Sequence, residues 1–365
     1  MKVLIIITTE FVPYGGLTTV VLNYYRAIDK TGLAIDIAST NKAPENLAQE
    51  LQRNGSQYYN LGARKNVLSY LKNLNKVLKN NYDVVHVNGN SATMLLELLP
   101  AKVKRVHTRI AHVHTTKTQH PVLQRMIYPF FRGSYNKAVA VSDDAGKWLY
   151  GDNYIVLNNA INVKKYAFSL QTREEVRNGL GFSSQTFIIG TIGKLTPTKN
   201  HRYLLEVFSK FKQSIEDCKL VIVGGGELED ELKKKADELM IGKDVIFTGM
   251  TDDASGYVQA FDFFVFPSRF EGLGLALIEA QASGLKCVIS DRVPKEAVVT
   301  NQVKSISIND KADEWADYII QNINYNRIAN SQNAAESIKA HGYDISMEAG
   351  KLRELYLNCL ERSNG

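Results

Sequence analysis

Cysteine is nearly absent: three in 365 residues, Cys218, Cys287 and Cys359, odd in number and far apart. Such a set excludes a disulfide framework or a cysteine zinc site and points to a reducing compartment, the cytoplasm. Long apolar runs are missing as well. The longest near the start, Val3–Ile7, has only a strand's length, with neither the extent of a membrane span nor a small-residue cleavage site behind it. No Asp-x-Asp occurs, and no His, Cys and carboxylate cluster has metal-ligand spacing, so no metal is expected. Gly15-Gly16 follows the first apolar run without a full Gly-x-Gly-x-x-Gly fingerprint, which argues against a dinucleotide site. Low-complexity tracts and short-period repeats are absent too.

What is present describes a globular protein with 44% hydrophobic and 22% charged residues, too long for one ordinary core. Strand-like and helix-like segments alternate, from Lys2–Thr8 and Thr18–Asp29 to Asp83–Val87, Arg109–Val113 and Lys137–Val141. The pattern restarts at Phe187–Ile192 and runs on through Lys219–Val223, Phe261–Phe266 and Leu275–Ala282. It predicts an α/β chain of two doubly wound, Rossmann-like parallel-sheet domains, 1–165 and 166–345, separated by a connecting stretch. In such sheets ligands bind beyond the carboxyl ends of the strands. The net charge of +6 is unevenly spread. Residues 1–165 hold 21 Lys and Arg against 10 Asp and Glu, whereas 166–365 hold 23 against 28. A basic first half suits an anionic partner such as a phospholipid surface or a lipid pyrophosphate, or is simply a basic soluble domain. No nucleic-acid-binding module accompanies it.

The most informative stretch is 266–284. Glu271 stands in a Gly-containing loop after an apolar strand, and Glu279 follows eight positions later, about two turns into a helix. Gly272 and Gly274 let the backbone turn and expose the amides of Leu273, Gly274 and Leu275 at the helix start, where an anion is favoured. Spacing alone equally describes a strand–turn–helix with Glu271 as a solvated N-cap and Glu279 on an exposed face. Lys194 and Lys199 bracket a loop stiffened by Pro197, and two cations there could neutralise a diphosphate. Gly15-Gly16 permits positive φ and close approach to a phosphate, or forms an ordinary turn. His112 and His114 fall on one face of a strand, with His114 nearer the loop; each could equally be a structural histidine.

Taken together, Glu271 with Glu279, Gly15-Gly16, His114, Asn159-Ala160-Ile161-Asn162, Lys194, Lys199 and Val223-Gly224-Gly225-Gly226 resemble glycosyltransferase family 4 in type and order, over nearly the whole chain. Within that family the likeness is greatest to bacterial exopolysaccharide and capsule enzymes. The resemblance implies a retaining, metal-independent transferase of the GT-B fold, whose domains face each other across a cleft. Residues 346–365 would cross back onto the N-terminal, acceptor-binding domain. A nucleotide-diphosphate sugar, UDP-linked by family frequency, would serve as co-substrate with no cofactor. A lipid-linked saccharide would accept the sugar at the inner membrane face. His114 and Glu271 would touch the transferred sugar, Glu279 the ribose, and Lys194, Lys199, Gly15, Gly16 and the 272–275 backbone the donor. Departures are Lys194 where Arg is usual, which removes a bidentate fork, and Ala160 and Asn162 where Gly and Asp are usual. Two rival readings stay open: a sugar-nucleotide epimerase of the same fold and a non-catalytic nucleotide-sugar-binding subunit. Lastly, His120–Lys137 interleaves apolar and aromatic residues with Arg125, Arg132 and Lys137. That suits an anionic membrane surface, or a helix packed on the sheet.

Overall fold

The computed structural model describes residues 1–12, 15–118, 120–251 and 253–361. Its contacts divide the chain into two units, Met1–Ala160 with Ile345–Gly365, and Ile161–Asp344.

The first unit is a seven-stranded parallel sheet ordered β3-β2-β1-β4-β5-β6-β7. Its strands are β1 (Lys2–Ile7), β2 (Ala34–Ser39), β3 (Tyr58–Asn60), β4 (Val84–Gly89), β5 (Thr108–Val113), β6 (Lys137–Ala140) and β7 (Ile155–Val156). Helices α1 (Gly16–Ala27), α2 (Glu45–Arg53), α3 (Val67–Val77), α4 (Leu95–Val103), α5 (Pro121–Arg132) and α6 (Asp143–Tyr150) connect them. Period-2 alternation sends Leu4, Ile6, Val85, Val87, Ala111 and Val113 to one face, into a core shared with Leu74 of α3, Leu98 of α4 and Leu149 of α6.

The second unit holds the short helix α7 (Val163–Tyr166) and α8 (Leu170–Gly179), then β8 (Phe187–Ile192), α9 (His201–Lys212), β9 (Cys218–Val223), α10 (Glu229–Glu238) and β10 (Val245–Phe247). It continues with α11 (Ser255–Ala260), β11 (Phe263–Phe266), α12 (Leu275–Ala282), β12 (Lys286–Ser290), β13 (Val303–Ile306), α13 (Ala312–Gln321) and α14 (Arg327–Ala340). The sheet order is β10-β9-β8-β11-β12-β13. Both faces are apolar: Ile189, Ile222 and Val265 pack against α9 and α13, while Ile188, Val221 and Phe264 pack against Leu277 of α12 and Ile338 of α14. Cys218 and Cys287 are buried free thiols, and the side chain of Cys359 lies outside the described residues. The chain then returns to the first unit as α15 (Ile345–Glu361).

Sequence pattern put the domain boundary after residue 165, whereas the contacts put it after 160. Ile161 bridges Asp344 in parallel and its amide donates to Tyr343 O, so residues 161–165 belong with the second unit. In each sheet the strand order reverses once, between β1 and β4 and between β8 and β11. Those switch points are where a doubly wound sheet opens a crevice for ligand.

Candidate functional site

In the second unit, the loops leaving β8 and β11 flank the switch point. The first, Gly193–Lys199, lies directly on the Gly224–Gly226 loop: Gly193 N donates to Val223 O and Leu195 N to Gly225 O, each at 3.0 Å. A Cβ on Gly224 would stand 2.1 Å from Gly193 O, and one on Gly226 2.6 Å from Leu195 O. Gly224 and Gly226 are there for backbone-to-backbone packing, which fixes the lysine loop. A further bond from Arg269 N to Thr198 O, 2.7 Å, ties the β8 loop to the β11 loop.

At that junction Lys199 Nζ donates to both Glu271 carboxylate oxygens, at 2.6 and 2.8 Å, and sits 5.1 Å from the centroid of the Phe266 ring. The Glu271 side chain is only 8% exposed, so it is not the solvated cap that spacing allowed. Gly274, in the left-handed region at φ 93°, turns the chain into α12. Among the described residues the amides of Leu273, Gly274 and Leu275 meet no acceptor. The result is a carboxylate, an ammonium and an open helix N-terminus side by side. This set can take sugar hydroxyls and phosphate oxygens together. Lys194 is exposed on the same loop and is not drawn into the pair.

Glu279 sits about one turn into α12 and not about two: the helix begins at Leu275, as the apolar pattern predicts, and four positions separate the two. Its carboxyl lies beside the Tyr166 hydroxyl of α7, near the Lys165–Asp253 ion pair (2.9 Å). Burial pushes Glu279 up to about 7, against the pull of Tyr166 and Lys165. At neutral pH it is therefore only partly ionised. Tyr166 stands 113 positions from Glu279, and no motif or spacing pointed to it.

In the first unit, Gly15 and Gly16 do not use positive φ. Gly15 is extended (φ −78°, ψ 125°) as the N-cap of α1, and Gly16 is its first residue. Gly15 is needed for space, since a Cβ there would lie 2.9 Å from Val12 Cγ2. Thr19 N bonds back to Gly15 O at 2.8 Å, so the pair opens a helix at the end of β1.

His114, just beyond β5, donates from Nε2 to Asn88 Oδ1 at 2.9 Å, since that oxygen can only accept. Its ring lies 4.2 Å from that of His112, as strand alternation required. His112 Nδ1 is 3.1 Å from His86 Nε2, and His86 Nδ1 is 2.7 Å from the Tyr356 hydroxyl of α15. Burial drives His86 and His114 down to about 3 and His112 well below its ordinary value, so all three are neutral at physiological pH. Asn88 Nδ2, His112 Nε2 and His114 Nδ1 are buried with no partner among the described residues. His114 can thus act as a neutral hydrogen-bonding group and not as a cation. Asn88 escaped sequence reading, although its place at the carboxyl end of β4 was a usable signal. Among the described residues no group of three His, Cys, Asp or Glu is arranged to hold a metal ion.

Residues 172–340 match the glycosyl transferases group 1 family, and residues 14–164 match glycosyltransferase family 4. The Bacillus subtilis protein EpsF is 28% identical over 359 residues, 94% of this chain and 93% of that one. The capsular polysaccharide biosynthesis glycosyltransferase CapH of Staphylococcus aureus is 25% identical, covering 88% of this chain and 90% of its own. An Escherichia coli UDP-Gal:alpha-D-GlcNAc-diphosphoundecaprenol alpha-1,3-galactosyltransferase is 24% identical over 82% of this chain and 81% of its own. Among solved structures, Anabaena HepE in complex with UDP and glucose superposes with a TM-score of 0.77 at 16% identity, covering 96% of this chain and 98% of HepE.

Proposed function

We propose, from the premise that this chain belongs to glycosyltransferase family 4 and is a GT-B glycosyltransferase of polysaccharide biosynthesis, that it transfers a sugar from a UDP-sugar to a lipid-linked saccharide with retention and without a metal. The observation that carries this reading is the Lys199–Glu271 pair set against the open N-terminus of α12. A leaving UDP gains negative charge as the glycosidic bond breaks. Lys199 and the amides of Leu273–Leu275 stand where they can receive it, and charge held at that position favours the transition state over the ground state. Lys194, exposed on the same loop, supplies a second cation. When Lys199 turns to phosphate, the Glu271 carboxylate is released to bind sugar hydroxyls, so donor binding exchanges one ion pair for two contacts. Glu279 and Tyr166 take the ribose hydroxyls.

The first unit holds the acceptor, and in that unit His114 offers a neutral hydrogen-bonding group. HepE crystallised with UDP and glucose supports the base, and the E. coli relative, named for UDP-Gal and a diphosphoundecaprenol-linked acceptor, supports both substrates. Retention follows the family, through a front-face, oxocarbenium-like state in which departing phosphate and incoming hydroxyl share one face of the sugar.

A thermal-shift panel of UDP-, GDP- and ADP-sugars, followed by product analysis with and without EDTA, tests the proposal. A UDP-sugar should stabilise the protein and turn over equally in EDTA. Lys199→Met should lower kcat on the order of 100- to 1,000-fold, the usual effect of removing one preorganised donor. Protection by GDP- or ADP-sugars alone would overturn the base. Activity lost to EDTA and restored by Mg²⁺ would overturn the metal-free site.

A further inference from the structure

We propose that α4 and α5 together form a docking face for an anionic phospholipid surface. A helix lying on a sheet normally turns its apolar residues inward. Helix α5 does this with part of its apolar side only: Phe131 is buried, Ile127 and Tyr128 pack on the core, and the Tyr128 hydroxyl holds Leu149 O at 2.8 Å. A second apolar stripe points outward, with Val122 74%, Met126 69% and Phe130 70% exposed at i, i+4 and i+8, and Leu123 beside them. Helix α4 continues it through Leu99 and Val103, also one turn apart and exposed. Lys102 Nζ reaches Gly133 O at 2.7 Å, which sets the C-terminal ends of the two helices next to each other. Contiguous exposed apolar surface of this kind marks an interaction site, whereas single exposed side chains do not.

The charges select the partner. Residues 91–137 contain eight Lys and Arg and one carboxylate, Glu97. Glu97 is fully buried and bound by Arg64 and Tyr70, so this segment presents cations without any exposed acid. Lys104, Arg105, Arg125 and Arg132 are exposed around the apolar stripe. A second copy would bring like charges together, and a neutral bilayer would leave the cations unmatched. An anionic bilayer satisfies both parts at once: apolar side chains enter the acyl boundary while the guanidinium and ammonium groups meet phosphates. Among the described residues no helix is long and apolar enough to cross a membrane, so the contact would be in the plane of the surface. The proposal does not rest on the donor chemistry, since α4 and α5 carry none of the donor-site residues of the second unit.

The full chain, sedimented with phosphatidylcholine vesicles or with equal parts phosphatidylcholine and phosphatidylglycerol, tests this. Binding should require the anionic lipid at about 50 mM salt and fall steeply by about 500 mM. The double variant Met126→Gln with Phe130→Gln should lower the partition coefficient by at least about tenfold, and Val103→Gln by less. Met240→Gln, at a side chain 90% exposed on the other unit, should leave it unchanged. Because the altered side chains are exposed, the thermal midpoint reports whether folding is intact. Equal binding to both lipids at low salt, no binding to either, or a double variant that partitions like the parent would overturn the proposal. So would a concentration-dependent dimer dissolved by the same two substitutions, which would assign the face to a second copy.

Discussion

Glu279 has to serve two ends, since burial on α12 favours its protonated form while hydroxyl recognition favours an ionised one. Its carboxyl stands at about 7 in the fold against 4.5 in an unfolded chain, with burial the main cause. Between those values the folded chain keeps a proton that the unfolded chain has lost. Stability therefore falls as pH rises through the window, and above it the ionised group costs up to about 3 kcal/mol. Glu279→Gln removes the titration. The variant should unfold at higher urea than the parent at pH 8, by about 1–3 kcal/mol, and the gap should shrink toward pH 5. Chemical denaturation at both pH values checks this; an equal gap at each would remove Glu279 as its source. The same variant should weaken UDP-sugar binding despite its added stability, a trade expected of a site residue. At this scale, residue identities were legible and their partners were not. Glu271 and Lys199 were readable as candidates from their loops, but their mutual bond spans 72 positions and depends on two loops meeting at a switch point. The Tyr166–Glu279 contact and the His86–His112 link are non-local in the same way.

Helix α12 is the element on which the donor reading turns, and Gly274 sets its start. At φ 93° an L-residue is strained, and a Cβ would come to 3.4 Å from Phe266 Cε1 and 3.8 Å from Glu271 Cγ. Gly274→Ala should cost about 1–2 kcal/mol and push on both the helix start and the Glu271 side chain. Gly272, with open space around its Cβ position and no positive φ, should accept alanine within about 0.5 kcal/mol. Thermal melts with and without a UDP-sugar distinguish the two. Gly274→Ala should lower the midpoint and lose most of the ligand-induced shift, whereas Gly272→Ala should keep both; equal behaviour would mean that the turn does not shape the site. Strands and this helix were readable because apolar period and glycine punctuation agree there. Helix α4 was not read, since Pro100 breaks its pattern, yet tertiary packing of Leu98 and Ala101 holds it. Helix α6 was overlooked although Ser142 caps the Ala145 amide and Asp143 and Asp144 occupy its first turn, a signal present in the sequence. The outward stripe of α5 could not be told from an inward one by periodicity, which is blind to which face meets the core.

Alternation of strands and helices made the two doubly wound units legible, but nothing in the pattern of α15 says which core it joins; that expectation came from family resemblance alone. The contacts place it in the first unit, where Leu352, Leu355 and Tyr356 are buried and the Tyr356 hydroxyl meets His86. Glu348, fully buried, accepts from the Asn158 amide at 2.9 Å, and Arg353 bonds the carbonyls of Asp29 and Thr31, both at 3.1 Å. The second unit is by contrast continuous, with its two ends, Ile161 and Asp344, paired in one bridge. It is thus an insertion whose termini already meet, the geometry that lets a domain be excised without strain. A fragment 161–344 should unfold cooperatively on its own, with dispersed amide resonances. Residues 1–160 alone should not, because α1 and β4 would expose the apolar surface that α15 covers and leave His86 Nδ1 without its partner. Joining 1–160 to 345–365 through a short flexible linker should restore folding, since every buried contact of α15 would then be recovered. If 1–160 folded as stably as the linked form, α15 would be an appendage and not a part of the first core. If 161–344 stayed unfolded, its apparent self-sufficiency would depend on the first unit after all.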